Sequence, residues 1–264
     1  MFRPVTPHDV LDALRPWVQA NLRPSWKPHT AAAESGPSGS RFGGAPYLPE
    51  DGVRPGCGHC NTPLRLVLQL DLATLPEGTG ASMGDGLLQV FSCGNDCAGS
   101  DDFSAFSSAR PVRIVRVAAG GAVSTITAAG ELSAKAITGW KRFDDEPSPP
   151  EQESLGLDFV YDFTVNQVHV VCPSLGLDSP PFPLEAIAGE DVSTAAEGDK
   201  LLGWPHWVQG VEYPDCSRCA KPMRYLFQFA SNDNVPLSWG DSGTAYVSQC
   251  VDHLDVLTLA WAGN

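Results

Sequence analysis

The chain has 264 residues, 42% of them hydrophobic, which is enough apolar material for a sizeable core. No apolar run approaches the ~20 residues that a membrane helix needs, so we expect a soluble protein that does not bind membranes. The net charge of −14 arises in residues 143–217, which contain fifteen Asp or Glu and one Lys. This acidic balance disfavours binding to nucleic acid. It would attract a basic protein partner, or it only keeps the protein soluble.

A helix is predicted at the N-terminus. Thr6 can serve as its N-cap, Pro7 suits the first helical position, and Asp9 follows three residues after the cap. Apolar residues recur at helical spacing up to Val18, and the helix should end by about Pro24. Residues 28–44 are rich in Gly, Ser and Ala, so an exposed loop is predicted there.

Strands are predicted over most of the remaining chain. Leucines alternate with polar residues over 64–72, which is the period of a half-buried strand, and 86–91 is its expected partner. Segment 144–151 is acidic and proline-rich, which predicts a loop or linker. Further strands are predicted at 112–117, 159–161, 167–170, 223–229, 244–248 and 256–261.

A cysteine-containing motif occurs twice. Several residues of the segment from Gly44 to Gln69 recur in the segment from Gly203 to Gln228, each 159 positions further along the chain. A second block, residues 84–93, returns at residues 240–250 with a displacement of 156 to 157. Self-similarity at a nearly fixed offset indicates an internal duplication of one structural unit.

Each repeat offers four metal ligands. The first has the spacing Cys-x2-Cys-x32-Cys-x3-Cys, and the second has Cys-x2-Cys-x30-Cys-x2-His. Two close pairs can complete the tetrahedron of a structural zinc ion, which accepts thiolate or imidazole. A disulfide partner could not become histidine, so the exchange favours zinc. The predicted ligands are Cys57, Cys60, Cys93 and Cys97 for one ion, and Cys216, Cys219, Cys250 and His253 for the other.

Two other uses of the cysteines stay open. A secreted protein could form disulfides, but the first residues lack the apolar core of a signal peptide, which favours a cytoplasmic location. A redox Cys-x-x-Cys usually opens a helix, whereas each pair here precedes a strand-like run. Cys172 lies outside both quartets and is interpreted as a buried apolar residue, and His59 as a solvent-facing one.

No catalytic or cofactor-binding residue is assigned. Residues 240–243 match the Gly-Asp-Ser-Gly of trypsin-like proteases, but the first repeat lacks the serine, so we interpret them as a tight turn. If the protein were an enzyme, Asp233, Asp241 and His206 would be the candidates to line its pocket.

The motifs resemble a known family. Gly203-Trp204-Pro205, Pro214-x-Cys216-x-x-Cys219, Pro222-Met223 and Trp239-Gly240-Asp241-Ser242-Gly243 are similar to the YwqG-like bacterial family of unknown function, over about residues 40–261. Genes of that family are found near toxin systems, which implies an immunity or antitoxin role. More loosely, the doubled Cys-x-x-Cys units resemble the eukaryotic programmed cell death protein two family, which implies an acidic chaperone of a basic ribosomal protein.

Together the patterns predict an α+β, mainly β, fold: a single compact duplicated domain over 1–264 with pseudo-two-fold symmetry, two zinc-binding hairpin sites and an N-terminal helix. Residues 40–118 and 200–261 are the predicted zinc-binding repeats, and 143–199 the acidic connecting region.

We expect a non-catalytic, zinc-stabilised binder of a basic protein, as a dedicated chaperone or toxin-immunity protein. The alternatives are an enzyme with a pocket between the repeats and a zinc- or redox-responsive regulator. The partner is expected near Asp144, Asp145, Glu146, Glu190, Asp191 and Glu197.

Overall fold

The computed structural model describes residues 6–33, 35–50, 52–95, 97, 105–118, 121–186 and 195–263. The chain divides into two compact units. The acidic unit comprises the described residues of Met1–Ser25, Phe143–Glu197 and Gly203–Val211. The sheet unit comprises those of Trp26–Arg142, Gly198–Leu202 and Glu212–Asn264. The domain boundaries given above from the sequence stay predictions.

Strands provide most of the regular structure, so the mainly β class is confirmed. In the described part of the chain, no helix has both the length and the apolar character needed to cross a bilayer. In chain order the elements are α1 (Pro7–Asn21), β1 (Arg23–Ala31), β2 (Arg41–Phe42), β3 (Tyr47–Leu48), β4 (Arg65–Asp71), β5 (Leu87–Ser92), β6 (Val112–Val115), β7 (Ala122–Val123), β8 (Lys135–Asp145), α2 (Pro149–Ser154), β9 (Asp158–Asp162), β10 (Gln167–Cys172), β11 (Leu177–Asp178), β12 (Phe182–Pro183), β13 (Lys200–Leu202), β14 (Arg224–Ala230), β15 (Thr244–Gln249) and β16 (Leu257–Ala262).

Helix α1 begins where the sequence predicts. The backbone N–H of Asp9 donates to Thr6 Oγ1 at 3.2 Å, and Asp9 Oδ2 accepts from the Thr6 backbone N–H at 2.8 Å. This reciprocal pair is a capping box, which satisfies N–H groups that the helix itself cannot satisfy. The helix ends at Asn21, before Pro24.

Removing the cap gives a first testable expectation. Thr6→Ala should lower the free energy of unfolding by about 1 kcal/mol, because the donors of the first turn lose their acceptor. Thermal unfolding of the variant measures the loss, with Thr127→Ala, a change at an exposed threonine in the sheet unit, as the control. Equal melting temperatures for all three proteins would show that the capping box contributes nothing.

The acidic unit buries one face of α1 against a small sheet. Val10, Leu14 and Trp17 are buried in the same cluster as Val168 and Val170 of β10. Strand β10 is central: β9 pairs along one edge, and β11 and β12 pair along the other, all antiparallel. Cys172, at the end of β10, is fully buried in this cluster, which confirms its interpretation as an apolar core residue.

The sheet unit is organised around one long sheet. Ten strands of the described chain form it in the order β16-β15-β14-β13-β1-β8-β2-β4-β5-β6; the first residues of β1 and the last of β8 belong to the acidic unit. On each side of the central strands β1 and β8, four further strands follow toward the edge of the sheet. They are β2-β4-β5-β6 on one side and β13-β14-β15-β16 on the other.

The strand registers match the spacing of the sequence motifs. Gln69 of β4 pairs with Arg41 of β2, and Gln228 of β14 pairs with Lys200 of β13. Both the glutamines and their cationic partners differ by 159 in number, and all four residues are buried. The register also shifts at the same relative place, between residues 66 and 68 in β4 and between residues 225 and 227 in β14.

Strand β4 is buried on both faces, so the prediction of a half-buried strand is wrong. Residues 66–70 are all buried, including the polar Gln69. Its Oε1 accepts from the Tyr47 backbone N–H at 3.0 Å and from Gln89 Nε2 at 2.9 Å, while its Nε2 donates to the carbonyls of Pro37 and Gly39. Because its polar atoms are satisfied internally, the alternation in the sequence does not mark a solvent face.

Two loop predictions are also corrected. Residues 28–31 belong to β1 and residues 41–42 to β2, so these six residues of the predicted loop 28–44 lie in strands. Strand β1 was not predicted because it contains Pro24 and Pro28, and proline is uncommon in strand interiors. The predicted linker 144–151 contains the end of β8 and the start of α2.

Asp145 explains why an acidic segment can be ordered. Its side chain is 1% exposed and accepts from the backbone N–H of Ala196 at 2.9 Å and of Trp204 at 2.8 Å. These hydrogen bonds offset the cost of burying a carboxylate. Asp145 therefore cannot contribute to a docking surface as the sequence suggested.

Candidate metal centres

A tight turn before β4 presents the first cysteine pair. The Cys57 N–H donates to the Thr62 carbonyl at 2.9 Å, and the Asn61 N–H donates to the Cys57 carbonyl at 2.8 Å. Asn61 has a φ of 57°, a left-handed conformation that asparagine tolerates. The backbone N–H of His59 points at Cys57 Sγ, at 3.4 Å, so the turn itself offers hydrogen bonds to a thiolate. His59 is exposed, as predicted.

The turn before β14 has the same construction. The Cys216 N–H donates to the Lys221 carbonyl at 2.9 Å, and the Ala220 N–H donates to the Cys216 carbonyl at 2.8 Å. Ala220 has a φ of 52°, and the backbone N–H of Arg218 lies 3.4 Å from Cys216 Sγ. The two turns thus agree in hydrogen bonds and in their left-handed residue.

The remaining candidate ligands lie at and after the ends of β5 and β15. Cys93 follows β5, and Cys250 follows β15, so a strand returning beside each Cys-x-x-Cys turn completes each group. Within each group, one ligand atom per residue lies within 4.8 Å of all the others. The structure brings together two sets in the described chain that can hold metal ions: Cys57, Cys60, Cys93 and Cys97, and Cys216, Cys219, Cys250 and His253.

One sulfur–sulfur distance in each group is too long for a disulfide bond. The Sγ atoms of Cys60 and Cys93 are 3.6 Å apart, and those of Cys219 and Cys250 are 3.7 Å apart, against about 2.05 Å for a disulfide. His253 directs Nδ1 toward Cys250 Sγ at 3.5 Å, as expected of a fourth ligand. None of the described cysteines forms a disulfide.

Polar side chains that the sequence analysis did not identify surround the first group. Thr62 Oγ1 lies 3.0 Å from Cys60 Sγ, and Asn95 Nδ2 donates to Thr62 Oγ1 at 3.3 Å. The Asn95 backbone N–H also points at Cys93 Sγ, at 3.4 Å. Such outer hydrogen bonds orient metal ligands and disperse their charge. Both residues lie within two positions of a cysteine, which is the signal that could have identified them.

Ion pairs join the two ligand-bearing segments of the second group. Arg218, inside the Cys-x-x-Cys turn, makes a two-pronged contact with Asp255 at 3.0 and 2.6 Å. Lys221 Nζ donates to Asp252 Oδ2 at 2.7 Å. Because Asp252 and Asp255 flank His253, these pairs tie the histidine segment to the cysteine turn.

The thiols within each group affect one another's ionisation. The hydroxyl and backbone N–H of Thr62 lower the pKa of Cys60 to about 6, whereas the hydrogen bond with Cys60 and burial raise the pKa of Cys97 to about 12. In the second group burial opposes ionisation of Cys216, but the backbone N–H groups of Arg218 and Cys219 bring its pKa down to about 6. One thiolate per group thus forms readily, and its charge opposes a second unless a cation is present.

The residues suggested for an enzyme pocket have other contacts. Asp233 lies in the turn after β14, and its Oδ2 accepts from the backbone N–H of Asp199, just before β13, at 2.7 Å. Asp241 is exposed in the turn before β15, where Ser242 has a φ of 49°, as the tight-turn interpretation of this motif expects. In the acidic unit, His206 Nε2 lies 3.7 Å from Glu197 Oε1.

Asp199 is a buried carboxyl that sequence reasoning missed. It is 1% exposed, and burial followed by the charge of Asp233 raises its pKa to about 7. Its oxygens accept from the backbone N–H of Ala230 at 2.8 Å and from Asn234 Nδ2 at 3.0 Å. These contacts fix the turn after β14, so we interpret Asp199 as a structural residue.

The fold and the two cysteine groups describe a mainly β protein with two candidate metal centres. The family model described as "domain of unknown function (DUF1963)" matches residues 40–254, which include all eight candidate ligands. The chain belongs to this family. Nothing among the curated proteins matches it.

Proposed function

We propose that each group binds one structural zinc ion. The tetrahedral arrangement of four ligands at a Zn–S distance of ~2.3 Å places neighbouring sulfur atoms ~3.8 Å apart, and a sulfur and a histidine nitrogen ~3.6 Å apart. The sulfur pairs at 3.6 and 3.7 Å and the Sγ to Nδ1 distances of 3.7 and 3.5 Å support this assignment. Thiolate and imidazole are also the ligands that zinc prefers.

The proposed ions are structural because the protein would supply four ligands to each. A catalytic zinc site keeps a position for water or substrate, whereas a closed set of four stabilises the fold. Cys57 and Cys93 are buried in the first group, and Cys216 and Cys250 in the second. Zinc at the first site would link the turn before β4 to the end of β5, and zinc at the second would link the turn before β14 to the end of β15. Each ion would thus stabilise one hairpin.

We further propose that the two halves of the large sheet derive from an internal duplication, within the YwqG-like branch of the family. The equivalent turns, the matching order of four strands and the pairing of Gln69 with Arg41 and Gln228 with Lys200 support it.

The protein's function, in our proposal, is to bind a basic protein partner without catalysing a reaction, as a dedicated chaperone or immunity protein. The supporting observation is the uneven charge of the two units. The sequence of the acidic unit holds fourteen Asp or Glu and three Arg, whereas the sheet unit holds seventeen acidic and fourteen basic residues. Such separation creates a local negative potential that steers basic partners and is screened by salt.

Association kinetics test this proposal. A basic partner is isolated from cell lysate, identified and purified, and its association rate is measured between 0.01 and 1 M salt, over which the Debye length falls from about 30 to 3 Å. Neutralising Asp144, Glu190, Asp191 and Glu197 with Asn or Gln should reduce the low-salt rate on the order of ten-fold and flatten the salt dependence. Glu190 and Asp191 lie outside the described residues, and the buried Asp145 and the half-buried Glu146 are left unchanged.

A charge-matched variant controls for net charge. Neutralising Glu50, Glu77, Asp85 and Asp241 removes the same charge from exposed positions of the sheet unit. That variant should keep most of the rate. Equal rates and slopes in both variants and the native protein would show that the acidic unit only promotes solubility.

A further inference from the structure

Strand β9 is the open edge of the small sheet in the acidic unit. It pairs with β10 from Asp158 to Asp162, and no other described strand pairs with its second edge. Its residues from Val160 onward are exposed, in contrast to the buried alternate residues of β10. An unpaired edge exposes backbone N–H and C=O groups to which another extended chain can add as a strand.

Large apolar side chains are concentrated at the end of this edge. Phe163 is 78% exposed, Val165 is 58% exposed and Tyr161 is 44% exposed. The rings of Tyr161 and Phe163 are stacked, with centroids 5.8 Å apart and planes inclined by 14°. Tyr161 pairs in register with Val168, a residue buried against α1, so the stacked pair extends the apolar face of the sheet into solvent. Grouped exposed apolar residues commonly mark a binding surface.

Polar hydrogen bonds hold the loop after β9. The Thr164 backbone N–H donates to Asp162 Oδ1 at 2.9 Å, and Asn166, with a φ of 54°, donates from Nδ2 to Glu185 Oε2 at 2.8 Å. Polar contacts therefore set the loop conformation. Phe163 and Val165 are largely exposed in this loop, so the folded protein presents them as a preformed surface.

Charge decides which partner this edge suits. Asp158 and Asp162 stand at the two ends of β9, and the strand contains no Lys or Arg. Antiparallel addition of a second copy of β9 would bring these carboxylates together, which is unfavourable. An incoming strand with lysine or arginine would pair with them, and its apolar residues would cover Tyr161 and Phe163.

From these observations we propose that the β9 edge, together with Tyr161, Phe163 and Val165, binds a basic, alternately apolar polypeptide segment by strand addition. This inference rests on the proposed function and names the surface and the kind of segment through which the partner binds.

Short labelled peptides test the proposal on the full-length protein. The probe is a ten-residue peptide of alternating valine and lysine, and the comparison peptides are its valine-glutamate counterpart and a valine-lysine version N-methylated at alternate residues. Fluorescence anisotropy should show binding of the first peptide only. Its binding should slow amide hydrogen exchange in β9, because the added strand takes up the free backbone groups.

Two variants locate the site. Phe163→Ser with Val165→Ser should weaken binding of the valine-lysine peptide by roughly ten-fold or more. Asp158→Asn with Asp162→Asn should weaken it and reduce its salt dependence, while the amide introduced at position 162 keeps an oxygen to accept from the Thr164 N–H. Val53→Ser, at a 75% exposed valine of the sheet unit, is the matched control and should leave affinity unchanged.

The outcomes separate this site from the general proposal. Binding of the lysine peptide with equal affinity by all variants would overturn the β9 site while leaving a basic partner elsewhere on the protein. Stronger binding of the glutamate peptide would overturn the choice of occupant. Failure of every peptide to bind would overturn strand addition at β9, and the association kinetics with the purified partner would still decide the proposed function separately.

Discussion

Replacing Cys57 or Cys216 with serine should abolish soluble expression or lower the melting temperature by roughly 10 °C or more. The reason is that losing one proposed structural zinc ion lowers the free energy of unfolding by several kcal/mol. The unfolded chain has no preformed site, so metal binding contributes directly to folding. Thermal unfolding, with zinc content measured on the same samples, records both effects. Each variant should also lose about one zinc ion per chain.

Cys172→Ala is the matched control for the cysteine variants. Cys172 is fully buried but belongs to neither group, so its replacement should leave zinc content unchanged and cost far less stability. If the ligand variants and the control have the same melting temperature, and a chelator does not alter that of the native protein, the sites are not structural.

Phe227→Ala should lower the free energy of unfolding by about 3–5 kcal/mol and the melting temperature by roughly 6–20 °C. Phe227 is fully buried in β14, and its ring centroid lies 4.9 Å from that of Phe229 and 6.2 Å from that of Phe42. Truncation would leave a cavity where strands of both sheet halves meet. Denaturant or thermal unfolding measures the loss.

Phe163→Ala is the corresponding control at an exposed ring. Because Phe163 is 78% exposed, its truncation should change stability by less than about 0.5 kcal/mol. A loss under about 1 kcal/mol for Phe227→Ala would contradict the position of its ring in the core.

The sequence predicts the strongly patterned elements well. Strands β4, β5, β14 and β15 lie where apolar runs follow or precede the cysteines, and α1 begins at its predicted cap. These elements were predictable because their signals are local: strand-like apolar runs, a capping box and fixed cysteine spacing. The two groups of candidate ligands were predictable for the same reason, because two pairs at matched spacing leave few ways to bring four such residues together.

Other features depend on distant contacts and could not be predicted locally. Burial of Gln69 depends on Tyr47 and Gln89, which satisfy its side chain from other strands. The order of the acidic segment depends on backbone groups near residues 196 and 204 that hydrogen-bond to Asp145. From the sequence alone, Gln69 is interpreted as a solvent-facing position of a strand, and the acidic segment as a loop. The hydrogen-bond partners that bury Gln69 and Asp145 are distant in sequence, so local patterns do not reveal them.

The exposed edge of β9 is a different case. Its residues, Asp-Phe-Val-Tyr-Asp, have the composition of an ordinary strand, and a strand was predicted there. Whether its second edge is paired depends on the topology of the sheet, which periodicity does not determine.

Elemental analysis of anaerobically purified protein, combined with a thiol titration, tests whether the two cysteine groups hold structural zinc. We expect two zinc ions per chain and a full complement of reduced cysteines once the metal has been released. Fewer than one zinc ion per chain together with no free thiols would contradict it and show that the cysteines form disulfides.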